Sequence, residues 1–247
     1  LGDIATQKWP SVTADKKIIE NIIFNEKGLV NDRENKYTLK GTKNEGEGII
    51  MLGQYLESKG IKIGSEWSKN IERKEDEYTS GECDIDHAED DVIYDIKCSY
   101  DWTTFAAETC KGLDIGYAYQ VRDYQRLYGR KNGAVVHVLT NTPDDDIRHQ
   151  IYMESFKWQG DMPDYRKVRI IRQHVYDFPT FERLIQEHLP TIDNAGADEL
   201  LKFREWTLEQ RINIKPCNIT DDFQAEIERI VTRARERAEE LAKILKM

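Results

Sequence analysis

Asp84, Asp95 and Lys97 fall within one short stretch, residues 81–97, GECDIDHAEDDVIYDIK. Folded as two paired strands, this stretch brings both carboxylates and the lysine to one place. Two carboxylates that near repel each other, and one ammonium relieves only part of the repulsion. A divalent cation relieves it fully, and hard cations take oxygen ligands. Period-two alternation over 82–86 sets Cys83 and Ile85 on one face and Glu82, Asp84 and Asp86 on the other. HAEDD makes the turn. On the returning strand Val92, Tyr94 and Ile96 share a face, and Ile93, Asp95 and Lys97 share the opposite one. Acids facing acids destabilise a strand ladder, which favours a site over plain structure. The competing reading is a solvated hairpin edge whose charge guards against aggregation. Within the site reading, Glu82 and Asp86 are second-choice ligands, and Glu89, Asp90 and Asp91 belong to the turn.

The surrounding elements must position these groups. Ile49, Leu52 and Leu56 recur at helical spacing and predict a helix ending near Ser58, ahead of Gly60. Glu45 continues that apolar stripe at i, i+4 and i+7. A carboxylate in line with a buried stripe wants a partner, such as a metal site. It is equally an acid favoured near a helix N-terminus by the dipole. Glu47 is the rival position. Upstream, a short helix is expected over 14–24, then polar loop or edge structure to Lys40. Residues 61–80 read as an edge strand and a charged flexible segment.

Residues 98–111 are expected to form a loop rich in hydroxyls and aromatics. A helix follows over 115–128, stopped at Gly129, with Gln120, Tyr124 and Tyr128 along one face. Arg122, Arg126, Arg130 and Lys131 gather around its second half. They suit phosphate contacts, or the ordinary cationic end of a helix. Residues 134–139, AVVHVL, form a continuous apolar strand, central in its sheet, and His137 is expected there as a core or interface histidine. Beyond the turn at Asn141-Thr142-Pro143 come a helix to about Trp158, a strand over 167–175 and a helix from Pro179 to His188. A loop over 190–197 leads to helices over 198–212 and 221–246.

Bulk composition narrows the classes. The 247 residues, 39% hydrophobic and 33% charged, suit one globular α/β core with helical additions. No apolar run of about 18 residues offers a membrane span, and the opening residues lack a basic stretch followed by an apolar core, so a secretory leader is not expected. The net charge of −10 argues against a surface that coats DNA. Much of that excess is local, since residues 72–91 hold ten acids against Arg73 and Lys74. The cysteines, Cys83, Cys98, Cys110 and Cys217, form no C-x-x-C pair and read as reduced thiols. No G-x-S-x-G element supports a serine hydrolase.

Four elements in order now resemble the PD-(D/E)xK nuclease superfamily, in its RecB-like and lambda-exonuclease-like, phage-type branch. They are Gly41-Thr42-Lys43-Asn44-Glu45, Gly81-Glu82-Cys83-Asp84, Asp95-Ile96-Lys97 and Gln120-Val121-Arg122-Asp123-Tyr124. The resemblance covers residues 38–145. It implies an α/β fold with a restriction-endonuclease-like core, a central mixed β-sheet flanked by helices, and a C-terminal helical extension. The expected division is a nuclease core over 1–178 and a helical extension over 179–247 packed on it.

The resemblance further implies a Mg²⁺- or Mn²⁺-dependent deoxyribonuclease, an exonuclease of phage or bacterial DNA recombination and repair. The alternative is a nuclease fold that binds DNA or a partner without cutting. Asp84 is then the central metal ligand, Asp95 the second, the Ile96 carbonyl the third, and Glu45 completes the set. Lys97 orients the attacking water and steadies the developing charge. Gln120 and Tyr124 position the site or the strand. Ser99, Thr103 and Thr104 donate to phosphates, and Arg122 and Arg126 contact DNA. No iron–sulfur cluster is expected, because the cluster-binding relatives' cysteine set is missing. Expected partners are DNA, a single-strand annealing recombination protein and further copies of the chain. The expected location is cytoplasmic.

Overall fold

A computed structural model describes residues 15, 16, 18–20, 36–64, 67–159, 162–189 and 211–245. The loop expected over 190–197, nearly all of the helix over 198–212 and most of that over 14–24 fall outside them. The first long helix, α1 (Lys36–Ser58), starts earlier than its apolar stripe suggests. Lys40 and Asn44 extend its inward face. The Lys40 side chain is wholly buried, and its Nζ donates to the carbonyls of Tyr100 at 2.8 Å and Thr140 at 2.9 Å. Burial lowers its pKa to about 8. A lysine in this role is invisible to a hydropathy pattern, which is why this turn reads as polar loop.

A two-residue ribbon, β1 (Lys74–Glu75) and β2 (Ser80–Gly81), precedes the main sheet. That sheet begins with β3 (Ile85–His87) and β4 (Val92–Cys98), antiparallel, with Ile85 opposite Tyr94. The stretch expected as loop after β4 is instead α2 (Trp102–Cys110). Asp101 caps it, accepting from the Thr104 amide and from the Thr103 and Thr104 hydroxyls, each at 2.8 Å. The helix α3 (Ile115–Tyr128) is capped by Asp114 and stops at Gly129, as its sequence predicts.

β5 (Asn132–Val138) then pairs parallel to β4, with Asp95 opposite Val135 and Lys97 opposite His137. Three helices follow: α4 (Asp144–Lys157), α5 (Asp164–His174) and α6 (Phe178–His188). The strand expected over 167–175 is therefore largely helix α5. Its buried residues, Ile170, Ile171 and His174, fall at i, i+1 and i+4, a helical stripe that a short apolar run conceals. β6 (Ile212–Pro216) returns to the sheet antiparallel to β5, in the gap between the helices expected over 198–212 and 221–246, where no strand was expected. The helix α7 (Phe223–Leu245) closes the described chain.

The sheet order is β3-β4-β5-β6, a mixed sheet with β4 and β5 central. One face packs on α1 through Ile49, Leu52, Ile96 and Val136. A Cβ at Gly48 would lie 3.0 Å from Ile96 Cγ2 and 3.2 Å from Cys98 Sγ, so glycine there lets α1 sit tight on β4. The opposite face packs on α3 through Ala118, Val121 and Val135. Helices α4, α5 and α6 bury a separate cluster around Ile147, Ile171 and Leu184. The last sheet strand comes from within 179–247, so the sheet spans both parts of the expected division.

Candidate active site

Asp84 sits one residue before β3, at a bend. The Asn70 loop makes that bend. The Asn70 amide donates to the Asp84 carbonyl at 2.8 Å, and Asn70 Nδ2 donates to the Cys83 carbonyl at 3.1 Å. The two peptide groups are thus held by the loop rather than by β4. Consequently Cys83 does not share a face with Ile85, as strict alternation requires. Cys83 packs with Ile93 and Tyr128, while Ile85 packs on the α1 side. The freed Asp84 carboxylate turns along β4, and its Oδ2 accepts from the Ile96 amide at 2.5 Å.

Asp95 is on β4 itself, 2% exposed. Lys97 lies two residues on, with Nζ 2.7 Å from Asp95 Oδ2. That approach is an ion pair without good hydrogen-bond alignment, which leaves Asp95 Oδ2 a buried oxygen lacking an aligned donor. Burial pushes the Asp84 carboxyl up to about 7, and the neighbouring Asp95 charge adds to the rise. Burial raises Asp95 as well, against the pull of Lys97. Burial works against the Lys97 ammonium, yet Asp95 and Asp84 outweigh it and hold its pKa above the ordinary value. The Lys97 cation also lies 5.0 Å from the centroid of the Tyr117 ring.

These groups open on a cleft of about 1080 Å³, lined among others by Glu45, Ser99, Thr104, Gln120 and Tyr124. Gln120 Nε2 donates to the Tyr124 hydroxyl at 2.8 Å, one helical turn apart on α3. Tyr124 in turn lies against Gly81. A Cβ there would meet its ring at 2.4 Å, so only glycine admits the ring. Gly81→Ala is therefore expected to displace Tyr124 and cost about 1–3 kcal/mol, as overpacking does. A thermal melt checks the loss, and an unchanged melting temperature argues against this packing.

Of the two candidate glutamates on α1, Glu45 reaches the cleft, where Lys69 Nζ meets its Oε2 at 2.9 Å. Glu47 belongs elsewhere, beside Arg211, with burial raising its pKa. Asp86 is paired away with Arg130 at 2.6 Å.

Not every expected contact arrives at the cleft. Thr103 is not among its lining residues, and its hydroxyl serves the Asp101 cap. Arg122 Nε donates to the Asn218 carbonyl at 3.1 Å. Arg126 is tied to Asp76, to Asp123 at 2.8 Å and to Thr79 at 2.6 Å. Both arginines point away because α3 offers the cleft only the row through Gln120 and Tyr124.

Conversely, Lys69, Tyr117 and Asp114 border the site without having stood out in the sequence. Tyr117 stands three residues before Gln120 and seven before Tyr124 on α3, a helical spacing that could have marked it, whereas Lys69 and Asp114 lie outside any such pattern and only the fold brings them there. His137, expected in the core, is buried but also lines the cleft, and burial lowers its pKa to about 4.

The donor set fits a divalent cation. Two carboxylates in one cleft offer the oxygen ligands that hard divalent cations take. Asp95 Oδ2 is buried against the Lys97 ammonium, and a carboxylate oxygen can take a second positive partner. Among the described residues no three His, Cys, Asp or Glu side chains gather closely enough to hold an ion by themselves, so the carboxylate pair is Asp84 and Asp95, with Glu45 paired to Lys69 nearby.

No protein-family model and no curated protein matches the sequence. Solved structures do match the fold. A phage-related exonuclease from Haemophilus somnus 129PT aligns with a TM-score of 0.60 at 22% identity, over 95% of this chain and 85% of that one. An alkaline exonuclease from Laribacter hongkongensis aligns with a TM-score of 0.54 at 14% identity, over 99% of this chain and 89% of that one. The same Laribacter enzyme in complex with dAMP gives a TM-score of 0.54 at 14% identity, over 99% and 88%. The mixed sheet between helices and these likenesses together show that the chain shares the fold of these phage-related and alkaline exonucleases.

Proposed function

We propose that this protein is a divalent-metal-dependent deoxyribonuclease that degrades DNA from ends, in DNA recombination or repair. The observation that carries this reading is the placement of Asp84, Asp95 and Lys97 in one cleft. The shared fold with exonucleases supports it.

Asp84, Asp95, the Ile96 carbonyl and Glu45 would hold the cation. A bound Mg²⁺ or Mn²⁺ supplies positive charge to the phosphate and makes a water acidic enough to attack at neutral pH. Lys97 stays protonated against Asp95, so its ammonium donates to the attacking water and to the phosphate oxygens as their charge grows. Gln120 and Tyr124, locked to each other, form the wall against which the scissile strand rests. Ser99 offers a hydroxyl to its phosphates, while Thr104 lines the cleft with its hydroxyl donated to Asp101.

The test uses linear and closed-circular duplex DNA with Mg²⁺, with Mn²⁺ and with EDTA. Linear DNA should disappear only with the divalent ions, while circles persist. Cleavage of circles alone overturns the exonuclease reading. No cleavage of either substrate overturns catalysis altogether.

A further inference from the structure

The helices α4 and α5 carry an exposed aromatic face that the cleft does not use. Tyr152 is 58% exposed and Phe156 62% on α4, Trp158 40% just past its end, and Tyr165 65% at the start of α5. The rings are already organised. Tyr152 and Phe156 meet edge to face with centroids 4.7 Å apart, and the Arg166 guanidinium lies 5.4 Å from the Trp158 ring centroid. Free-standing aromatics of this number cost solubility and call for a ligand.

Helix α4 is acidic, with Asp144, Asp145, Asp146 and Glu154 against Arg148 and Lys157, and the positive charge beside the rings comes from α5. The net charge is −10, yet α5 sets Arg166, Lys167, Arg169 and Arg172 against a single acid, Asp164. Arg169 is exposed. The face is also tied to the cleft. Gln150, on α4 ahead of Tyr152, lies 3.4 Å from the hydroxyl of Tyr100, which lines the cleft.

We propose that this face binds single-stranded nucleic acid, with bases stacked on Tyr152, Phe156, Trp158 and Tyr165 and phosphates against Arg166 and Arg169. Aromatic rings interleaved with cations are the chemistry that holds a single strand without regard to sequence, since every base has a π-face. A second copy placed symmetrically on the same face would set the α5 cations against themselves, which disfavours that occupant. The surface takes its biological sense from the nuclease reading, but its test does not depend on cleavage.

The test measures anisotropy of a labelled single-stranded oligothymidine with the full chain in EDTA, where no hydrolysis enters. Phe156→Ala with Tyr165→Ala should weaken binding about tenfold or more. Arg169→Glu should weaken it and flatten its salt dependence. Binding by wild type that neither variant alters overturns the proposal, as does absence of binding by wild type. A change of sedimentation in the variants with unaltered oligothymidine affinity identifies a protein interface instead. Binding through this face by a protein that cuts neither linear nor circular DNA leaves the surface standing and removes the nuclease reading.

Discussion

Asp95→Asn is expected to lower Mg²⁺-supported hydrolysis of linear DNA by about 10³-fold or more, with the circular dichroism spectrum unchanged. The magnitude follows from losing a ligand whose ion contributes several kcal/mol to the transition state. The fold should survive because asparagine has the same shape and the strand's packing lies on neighbouring residues. Ile93 and Ile96 hold β4 against the two helical layers. The side chain of Asp95 itself is buried, with one oxygen lacking an aligned donor. Such a group is a poor structural element and a good ligand. Lys97→Met should act through a different route. It removes the donor to the reacting oxygens and should reduce kcat by about 10²- to 10³-fold, while Mg²⁺ affinity measured by calorimetry persists. Wild-type rates in Asp95→Asn would remove the site assignment, whatever the fold.

The second large effect is on stability against pH. The Asp84 carboxyl is raised from 3.8 to about 7, first by burial and then by Asp95. The folded chain therefore holds a proton that the unfolded chain gives up between these values. Unfolding releases that proton, so stability falls as pH rises through this window and levels off above it. In EDTA the melting temperature of the wild type should drop by several degrees between about pH 4 and pH 8. Asp84→Asn should show a shallower drop, because its amide still accepts from Ile96 but carries no charge. Mg²⁺ should restore the wild type more near pH 8 than near pH 6, since the ligand must lose its proton to bind. Equal pH slopes for the two proteins in EDTA would contradict the raised carboxyl.

The motif residues were legible because chemistry leaves local marks. Asp95 and Lys97 share a face by strand parity alone, and along β4 Tyr94 and Ile96 pack on the α1 side while Ile93 packs with Tyr128 of α3. Gln120 and Tyr124 share a face by helical spacing, and α3 begins and ends where its cap and glycine say. Glu45 was visible as an acid continuing an apolar stripe, although Glu47 remained open until α1 was seen against β4. In each case the informative contact lies within a few residues along one regular element.

The rest depended on partners far apart in sequence. The bend that aims Asp84 at Ile96 is made by Asn70, from a loop with no pattern of its own. Lys40 is buried in α1 because the carbonyls of Tyr100 and Thr140 receive its ammonium. Ile212–Pro216 becomes a strand because β5 offers it an edge, and α5 is a helix because α4 and α6 cover its stripe. Sequence by itself therefore determined which groups carry the charge and which spacing pairs them. Only the tertiary structure decided that Asp84 leaves its strand to join Asp95, that Lys69 meets Glu45, and that Arg122 and Arg126 serve the scaffold. The physical reason is that strand and helix periodicity is set by local geometry, whereas burial and hydrogen-bond satisfaction are set by whichever distant group the fold supplies.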